Sequence, residues 1–288
     1  MRIEDASENL QLSGDMDVVC VKADGTSAGK SSQIVLEHDM DLYIDGQRAA
    51  RLVCTPTNLP EMVLGRLITS RLIDSVDAVE DIVICRTGHT VHVRTRRDTE
   101  NHQGQPLQKE GNQPPQNGTD LHLVEALQKE PTCCPDNKVF VVNQDARDLR
   151  PLAPAAWTPE DIFLLAGRFS KGSGIHKKTQ GTHSAYLYHG GRIIFSAEDI
   201  GRHNAMDKVI GHMLLHELDP GTCMVYTTGR VPTDMVEKAI AAGIPVLVTK
   251  AVPTDQAVEM AKKYNLTLIC KAWPDSFEVF HNSCRMEV

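Results

Sequence analysis

Between Cys223 and Cys270, short apolar runs of strand length alternate with amphipathic stretches of helix length. Cys223–Thr227 reads as a buried strand, Thr233–Ala242 as a helix closed by Gly243, and Val246–Thr249 as a strand. Thr254–Tyr264 then reads as a helix and Leu266–Cys270 as a strand. Strands spaced by single helices need right-handed crossovers, which make them parallel neighbours in one sheet. In such sheets ligands sit beyond the carboxyl ends of the strands. Here that rim consists of three loops, Thr228-Gly229-Arg230, Lys250–Thr254 and Lys271–Ser276.

The rest of the chain fits around this α/β unit. Thr158-Pro159-Glu160 opens a helix through about Phe169. Ser184–Tyr188 and Arg192–Phe195 form a hairpin over His189-Gly190-Gly191. Ser196 and Asp199 match a capping pattern for a helix that runs to about Leu218. Upstream, Ile34–Ile44 and Gln47–Cys54 flank Asp45-Gly46, a hairpin signal. Pro60–Ile73 has helical spacing, and Asp81–Cys85 and Thr90–Val93 read as strands. From Arg96 to about Gly118 almost no apolar residue occurs, which predicts a mobile insertion or linker. Leu121–Gln128 is expected to be a short helix. The expected organisation is a loosely ordered 1–33, a small α+β unit at 34–95, a flexible linker at 96–150 and an α/β domain at 151–288.

Charge and cysteine usage narrow the function classes. The 288 residues carry a net charge of −8, which argues against a general nucleic-acid coat. The chain has no apolar run of bilayer-spanning length. Met1–Gly14 is polar and acidic, without a secretory pattern, so a cytoplasmic location is expected. The eight cysteines are scattered through apolar stretches and read as reduced thiols.

Three places could carry chemistry. The densest is Glu198–Lys208, where His203 and Asp207 stand four apart on one helix face and Gly201 allows close approach near a helix start. Spacing alone leaves open a capped amphipathic helix with an ordinary surface ion pair. The second is Thr182-His183, where a structural histidine is the other reading. Zinc nucleobase deaminases use H-x-E followed by P-C-x-x-C. His183 is followed by Ser184 and Ala185, and no such cysteine pair follows, so zinc is not expected. The third is Cys133-Cys134, a loop pair in which one accessible thiolate could act as nucleophile or sulfur carrier. Two inert loop thiols remain the alternative.

These residues together resemble a known family. The run E-D-I-G-R-H-N-A-M-D-K-V-I-G (Glu198–Gly211) is similar to the signature of the formate dehydrogenase accessory sulfurtransferases (FdhD). Thr228-Gly229-Arg230 with Met235-Val236 and Lys238-Ala239, then Gly243-Ile244-Pro245, Pro253-Thr254 and Asn265–Leu268, continue the resemblance in order. Thr182-His183-Ser184-Ala185 resembles the family's T-H-x-A element. The resemblance covers about Ile34–Phe280, apart from the Gln-rich insertion.

It implies a cytidine-deaminase-like three-layer C-terminal domain without zinc, a smaller α+β N-terminal domain and a homodimer. It further implies a persulfide carrier that takes sulfur from a cysteine desulfurase. The sulfur passes to a molybdenum (or tungsten) bis-molybdopterin guanine dinucleotide cofactor, held as cargo before insertion into the formate dehydrogenase catalytic subunit. By the same resemblance Cys133 and Cys134 are the sulfur-carrying candidates, where the family has C-x-x-C. The cofactor-binding candidates are Thr182, His183, Arg202, His203, Thr228, Gly229, Arg230 and the loop Lys271, Ala272, Trp273, Pro274, Asp275 and Ser276. In that loop Lys271 could meet a phosphate and Trp273 could stack on guanine or pterin. The alternative is a chaperone that holds and inserts the cofactor without sulfurating it.

Overall fold

The computed structural model describes residues 1–96, 121–129, 138–143, 148–170 and 174–284. Its architecture is mixed α/β. Among the described residues the strands form two large sheets and one separate hairpin.

The first sheet gathers β1 (Arg2–Asp5), β4 (His38–Ile44), β5 (Gln47–Cys54), β6 (Val79–Ile84), β7 (Thr90–Thr95), β8 (Leu121–Lys129) and β9 (Lys138–Asn143), in the order β1-β6-β7-β4-β5-β9-β8. Asp45-Gly46 turns β4 into β5 as expected, with both residues at positive φ. Alternate residues of these strands face one core: Met40, Leu42 and Ile44 pack with Leu52, Ile82, Ile84, Val91 and Val93. Helix α1 (Leu59–Thr69) covers that face through Met62, Val63 and Leu67.

The second sheet is β11-β10-β12-β13-β14-β15, built from β10 (His183–His189), β11 (Arg192–Asp199), β12 (Cys223–Thr227), β13 (Val246–Thr249), β14 (Thr267–Cys270) and β15 (Glu278–His281). Strands β12, β13 and β14 are parallel, as the alternation of strands and helices requires. Strand parity divides the core. Leu187, Val225, Leu247 and Leu268 face α4 (Arg202–Leu215), α5 (Thr233–Ala241) and α6 (Asp255–Lys263). Tyr186, Tyr226, Val248 and Ile269 face α2 (Pro159–Ser170). A short α3 (Gly174–Thr179) leads into β10. No described helix is long and apolar enough to cross a membrane.

Four local expectations need correction. The stretch 1–33, expected to be loosely ordered, holds β1, β2 (Ser13–Val21) and most of β3 (Ser27–Val35). β1 joins β6 in parallel, and β2 and β3 form a nine-pair antiparallel ribbon. Pairing of this kind depends on a partner strand, and the small polar residues of β3 hide its alternation. Ile34 therefore belongs to the end of β3, which closes at Val35, and the next strand begins only at His38. Leu121–Gln128 lies in a strand, not a helix: the ladder to β9 outweighs local helical preference. Ser196 and Asp199 do not cap α4. Both lie in β11, and Gly201 is the N-cap without a side-chain bond.

The two large sheets meet where α1 crosses α4. Gly65 and Gly211 make this possible. A Cβ on Gly65 would lie 1.9 Å from the Asp207 carbonyl oxygen, and one on Gly211 would lie 1.8 Å from that of Glu61. Around this crossing sits a polar weld. Lys208 is fully buried and its ammonium meets Asp199 (2.7 Å), the Thr55 carbonyl (2.8 Å) and the Glu198 carbonyl (3.0 Å). Asp207 accepts from Thr69 (2.7 Å) and Lys238 (2.8 Å), with Arg66 at 3.7 Å. Asn204 donates to the Val53 carbonyl (2.9 Å). Buried charges survive only when paired and hydrogen-bonded this fully.

Candidate functional site

The loops after β12, β13 and β14 are tied into one rim by their own backbones. Val231 N–H donates to Val252 O (3.2 Å) and Thr254 N–H to Val231 O (3.2 Å). Lys271 N–H donates to Ala251 O and Ala272 N–H to Thr249 O, both at 3.0 Å. The Thr249 hydroxyl donates to Gly229 O (2.8 Å). Parallel strands place these three loops side by side, so residues far apart in sequence become neighbours.

Thr228 stitches this rim to the start of β10. Its N–H donates to Ser184 O, and its hydroxyl accepts from Ser184 N–H, both at 3.0 Å. The Thr182-His183 and Thr228-Gly229-Arg230 segments thus adjoin. Glu198 Oε2 accepts from His176 N–H (2.9 Å) and the Thr182 hydroxyl (3.4 Å), while His176 Nδ1–H donates to Thr182 O (2.7 Å). Thr182 is therefore buried structure, and His183 is half-buried beside it.

Gly229 brings Arg202 into the same place. A Cβ there would stand 2.8 Å from the Arg202 Cδ, so glycine lets the arginine lie against the loop backbone. Arg202 is only 4% exposed, and among the described residues its Nε has no hydrogen-bond partner. The adjacent Arg230 is exposed. His203 is not paired with Asp207, as the four-residue spacing predicts. Its Nε2 meets Asp234 at the start of α5 (3.0 Å), because Asp207 turns to Thr69 and Lys238 instead.

The Lys271–Ser276 loop divides by chemistry. Lys271 is tied to Glu278 (2.8 Å), and Ala272 is buried with its backbone spent on Thr249 and on the Tyr226 hydroxyl (3.1 Å). Pro274, Asp275 and Ser276 are exposed. Trp273 stands 44% exposed, its ring edge-on to Phe169 at 6.5 Å. Phe169 in turn stacks on Tyr226 at 6.0 Å and carries the Lys250 ammonium 4.3 Å over its ring. Phe169 and Asp234 escape sequence reasoning, and Lys250 enters it only as the first residue of the Lys250–Thr254 rim loop. Asp234 in the first turn of a helix has a faint signal, but the other two acquire meaning only through the fold.

Cys133 and Cys134 lie outside the described residues. The described thiols differ sharply in environment. Burial pushes Cys54 and Cys270 far up and Cys223 to about 11. Among the described residues no group of three or more His, Cys, Asp or Glu is placed to hold a metal ion.

Comparison with known proteins bears on the fold and the family. Two Staphylococcus aureus proteins, from strains MRSA252 and Newman, are each named sulfur carrier protein FdhD. Each is 26% identical over 247 residues, spanning 85% of this chain and 86% of the relative. A crystal structure from Desulfotalea psychrophila, of a protein provisionally assigned as a formate dehydrogenase accessory protein, matches with a TM-score of 0.72. Its identity is 22%, with 94% of this chain and 97% of that chain covered, so it speaks for the fold. The model of the FdhD/NarQ family matches residues 35–287, taking in the six-stranded sheet with its rim loops and every strand of the seven-stranded sheet except β1. The chain therefore belongs to the FdhD/NarQ family.

Proposed function

We propose that this protein is a sulfur carrier that serves formate dehydrogenase. The observation that carries the reading is the family match over residues 35–287, joined by relatives named sulfur carrier proteins. In this reading a thiolate of Cys133 or Cys134 attacks the terminal sulfur of a desulfurase persulfide. A new S–S bond forms on the carrier, the donor cysteine leaves as thiolate, and no net oxidation occurs. Delivery to its cargo, a molybdenum or tungsten bis-molybdopterin guanine dinucleotide, would release the outer sulfur as sulfide while a thiol reductant attacks the inner sulfur, supplies the two electrons and is left in a disulfide with the carrier cysteine. A homodimer acting in the cytoplasm belongs to the same proposal.

The rim suits an anionic dinucleotide cargo. Arg202 is buried, with no partner for its Nε among the described residues, Arg230 is exposed beside it, and Gly229 keeps side-chain bulk out of the space between. Arg202 and Arg230 would hold phosphate charge, and Trp273 would offer a stacking face. His203, held by Asp234, would keep the start of α4 in position. Incubation with a cysteine desulfurase and cysteine, followed by intact and peptide mass spectrometry, tests the carrier step. A gain of one sulfur, lost on reduction and mapped to Cys133 or Cys134, is expected. No gain, with the donor active on a control acceptor, would sink it.

The adjacency of Cys133 and Cys134 favours one second reading, a chaperone that holds and inserts the cofactor without sulfurating it. Adjacent cysteines pair only under strain, so the resolving step open to C-x-x-C is hindered here. Formate dehydrogenase maturation that survives replacement of both cysteines by alanine would select this reading.

A further inference from the structure

We propose that the outer edge of β2 pairs with the same edge of a second copy of this chain, joining two ribbons into one four-stranded antiparallel sheet. β2 lies outside residues 35–287, which the family model matches, so this contact is separate from the homodimer that the family resemblance implies.

The ribbon leaves an edge to fill. β2 and β3 form a two-stranded sheet of their own, and among the described residues no strand pairs with the outer edge of either. A lone two-stranded ribbon is marginal in water, and a third or fourth strand stabilises it. β3 lies against the body, where a Cβ on Gly181 would stand 2.7 Å from Val35 Cγ1. The far half of β2 reads Val18-Val19-Cys20-Val21, a strong strand-forming run, and Val19 and Val21 are 71% and 69% exposed. Natural edges are guarded by charge, proline or a bulge. Asp15 and Asp17 guard the near half of β2, but no charge, proline or bulge interrupts Val18–Val21.

The hydrogen-bond phase of the ribbon selects the occupant. Lys22 N–H donates to Thr26 O (2.9 Å) and Leu36 N–H to Leu12 O (3.1 Å). Even-numbered residues of β2 therefore turn their backbone groups towards β3, and Asp15, Asp17, Val19 and Val21 turn theirs outward. A two-fold related copy presents the same outward groups in antiparallel order, so the edge complements itself. Registers centred on Met16 or Asp17 would set aspartate against aspartate. Centring on Cys20 sets Val19 of each copy against Val21 of the other and Asp17 against Ala23, which gathers the exposed valines on one face. Cys20 then faces Cys20 of the second copy in a non-hydrogen-bonded pair. Their Cα atoms would lie about 4.5 Å apart, within disulfide reach.

Oxidation of the full-length protein with diamide, which takes up the two protons and two electrons, tests this. Edge pairing makes a small interface, so about 100 μM protein is used. Peptide mass spectrometry should find a Cys20–Cys20 link between copies. Moving the thiol along the strand, with Cys20→Ser and Lys22→Cys together, should lower the yield of linked dimer at least about tenfold, because that register holds the two positions about 14 Å apart. Val19→Lys, at an exposed position, should lower the Cys20 link to a similar extent. No Cys20–Cys20 link, with diamide active on glutathione, would overturn the inference and leave the edge to an unlike partner strand. An equal yield from position 22, or a yield unchanged by Val19→Lys, would show chance collision and overturn it as well. A dimer that forms without the Cys20 link would belong to another face and would refute this one.

Discussion

Gly211→Ala sets two effects of opposite sign against each other. In a helix interior, alanine in place of glycine is favourable by about 1 kcal/mol. In α4 the new methyl would lie 1.8 Å from the Glu61 carbonyl oxygen and 2.5 Å from its carbon, both of them backbone. Restoring ordinary contact requires α1 and α4 to part by about 1.5 Å. Overpacking of this kind costs about 1–3 kcal/mol. Parting also stretches the bonds that cross the junction: Thr69 to Asp207 (2.7 Å), Lys208 to Thr55 O (2.8 Å) and Asn204 to Val53 O (2.9 Å). Bonds to charged groups are worth about 1.5–3 kcal/mol each. The steric and polar losses outweigh propensity, and a net destabilisation of about 3 kcal/mol is expected, lowering Tm by about 6–12 °C. Gly167→Ala in α2 is the control, because among the described residues its Cβ would meet nothing within 4 Å. It should raise Tm by about 2 °C. Differential scanning calorimetry of both variants decides the matter. A Gly211→Ala protein as stable as the wild type would refute the close crossing.

Three further outcomes follow from the same geometry. Lys208→Met removes a cation that is fully buried against Asp199, leaving an uncompensated carboxylate; a loss of about 3–5 kcal/mol is expected by chemical denaturation. A loss under about 1 kcal/mol would show that the pair is not sealed from water. His212 stacks on Phe195 at 3.8 Å, and burial, then the charge of His216, holds its pKa down to about 4. Because its folded pKa lies below the unfolded value of about 6.5, the fold loses stability as pH falls from about 6.5 towards 4. His212→Gln should flatten the Tm profile over that window, and an unchanged profile would assign the loss elsewhere. At Cys85 burial raises the thiol pKa, but bonds from the Thr87 hydroxyl and the Thr90, Thr87 and His89 amides outweigh it, and the net shift is downward. Timed alkylation at pH 8 should therefore modify Cys85 well before Cys54, Cys223 or Cys270, and peptide mapping that found Cys54 first would contradict the burial of β5.

What could be read from the sequence depended on how local its cause was. Strands β12 and β13 fall where the apolar runs stand, because four or five consecutive buried residues leave few alternatives. Helix α6 starts at its Thr254 cap, whose hydroxyl accepts from Ala257 N–H. The N-terminal ribbon and β8 were not legible, since each is held by a partner strand that no local pattern identifies. The site was half legible. Thr228-Gly229-Arg230, Lys250 and the Trp273 loop lie at strand ends that the alternation already marks, but Phe169 comes from a separate element.

Helix α4 shows why polarity misleads here. Helical logic assigns charged residues to solvent, yet Arg202 through Gly211 are all buried. Asn204, Asp207 and Lys208 bond across to Val53, Thr69 and Thr55, so they weld the two large sheets and are unavailable to a ligand. Arg202 and His203 lie one turn earlier and face the rim, through Gly229 and Asp234. One dense motif therefore does two jobs. Substitution at Lys208 should show first in unfolding and substitution at Arg202 first in ligand affinity, although the two positions are six residues apart on one helix.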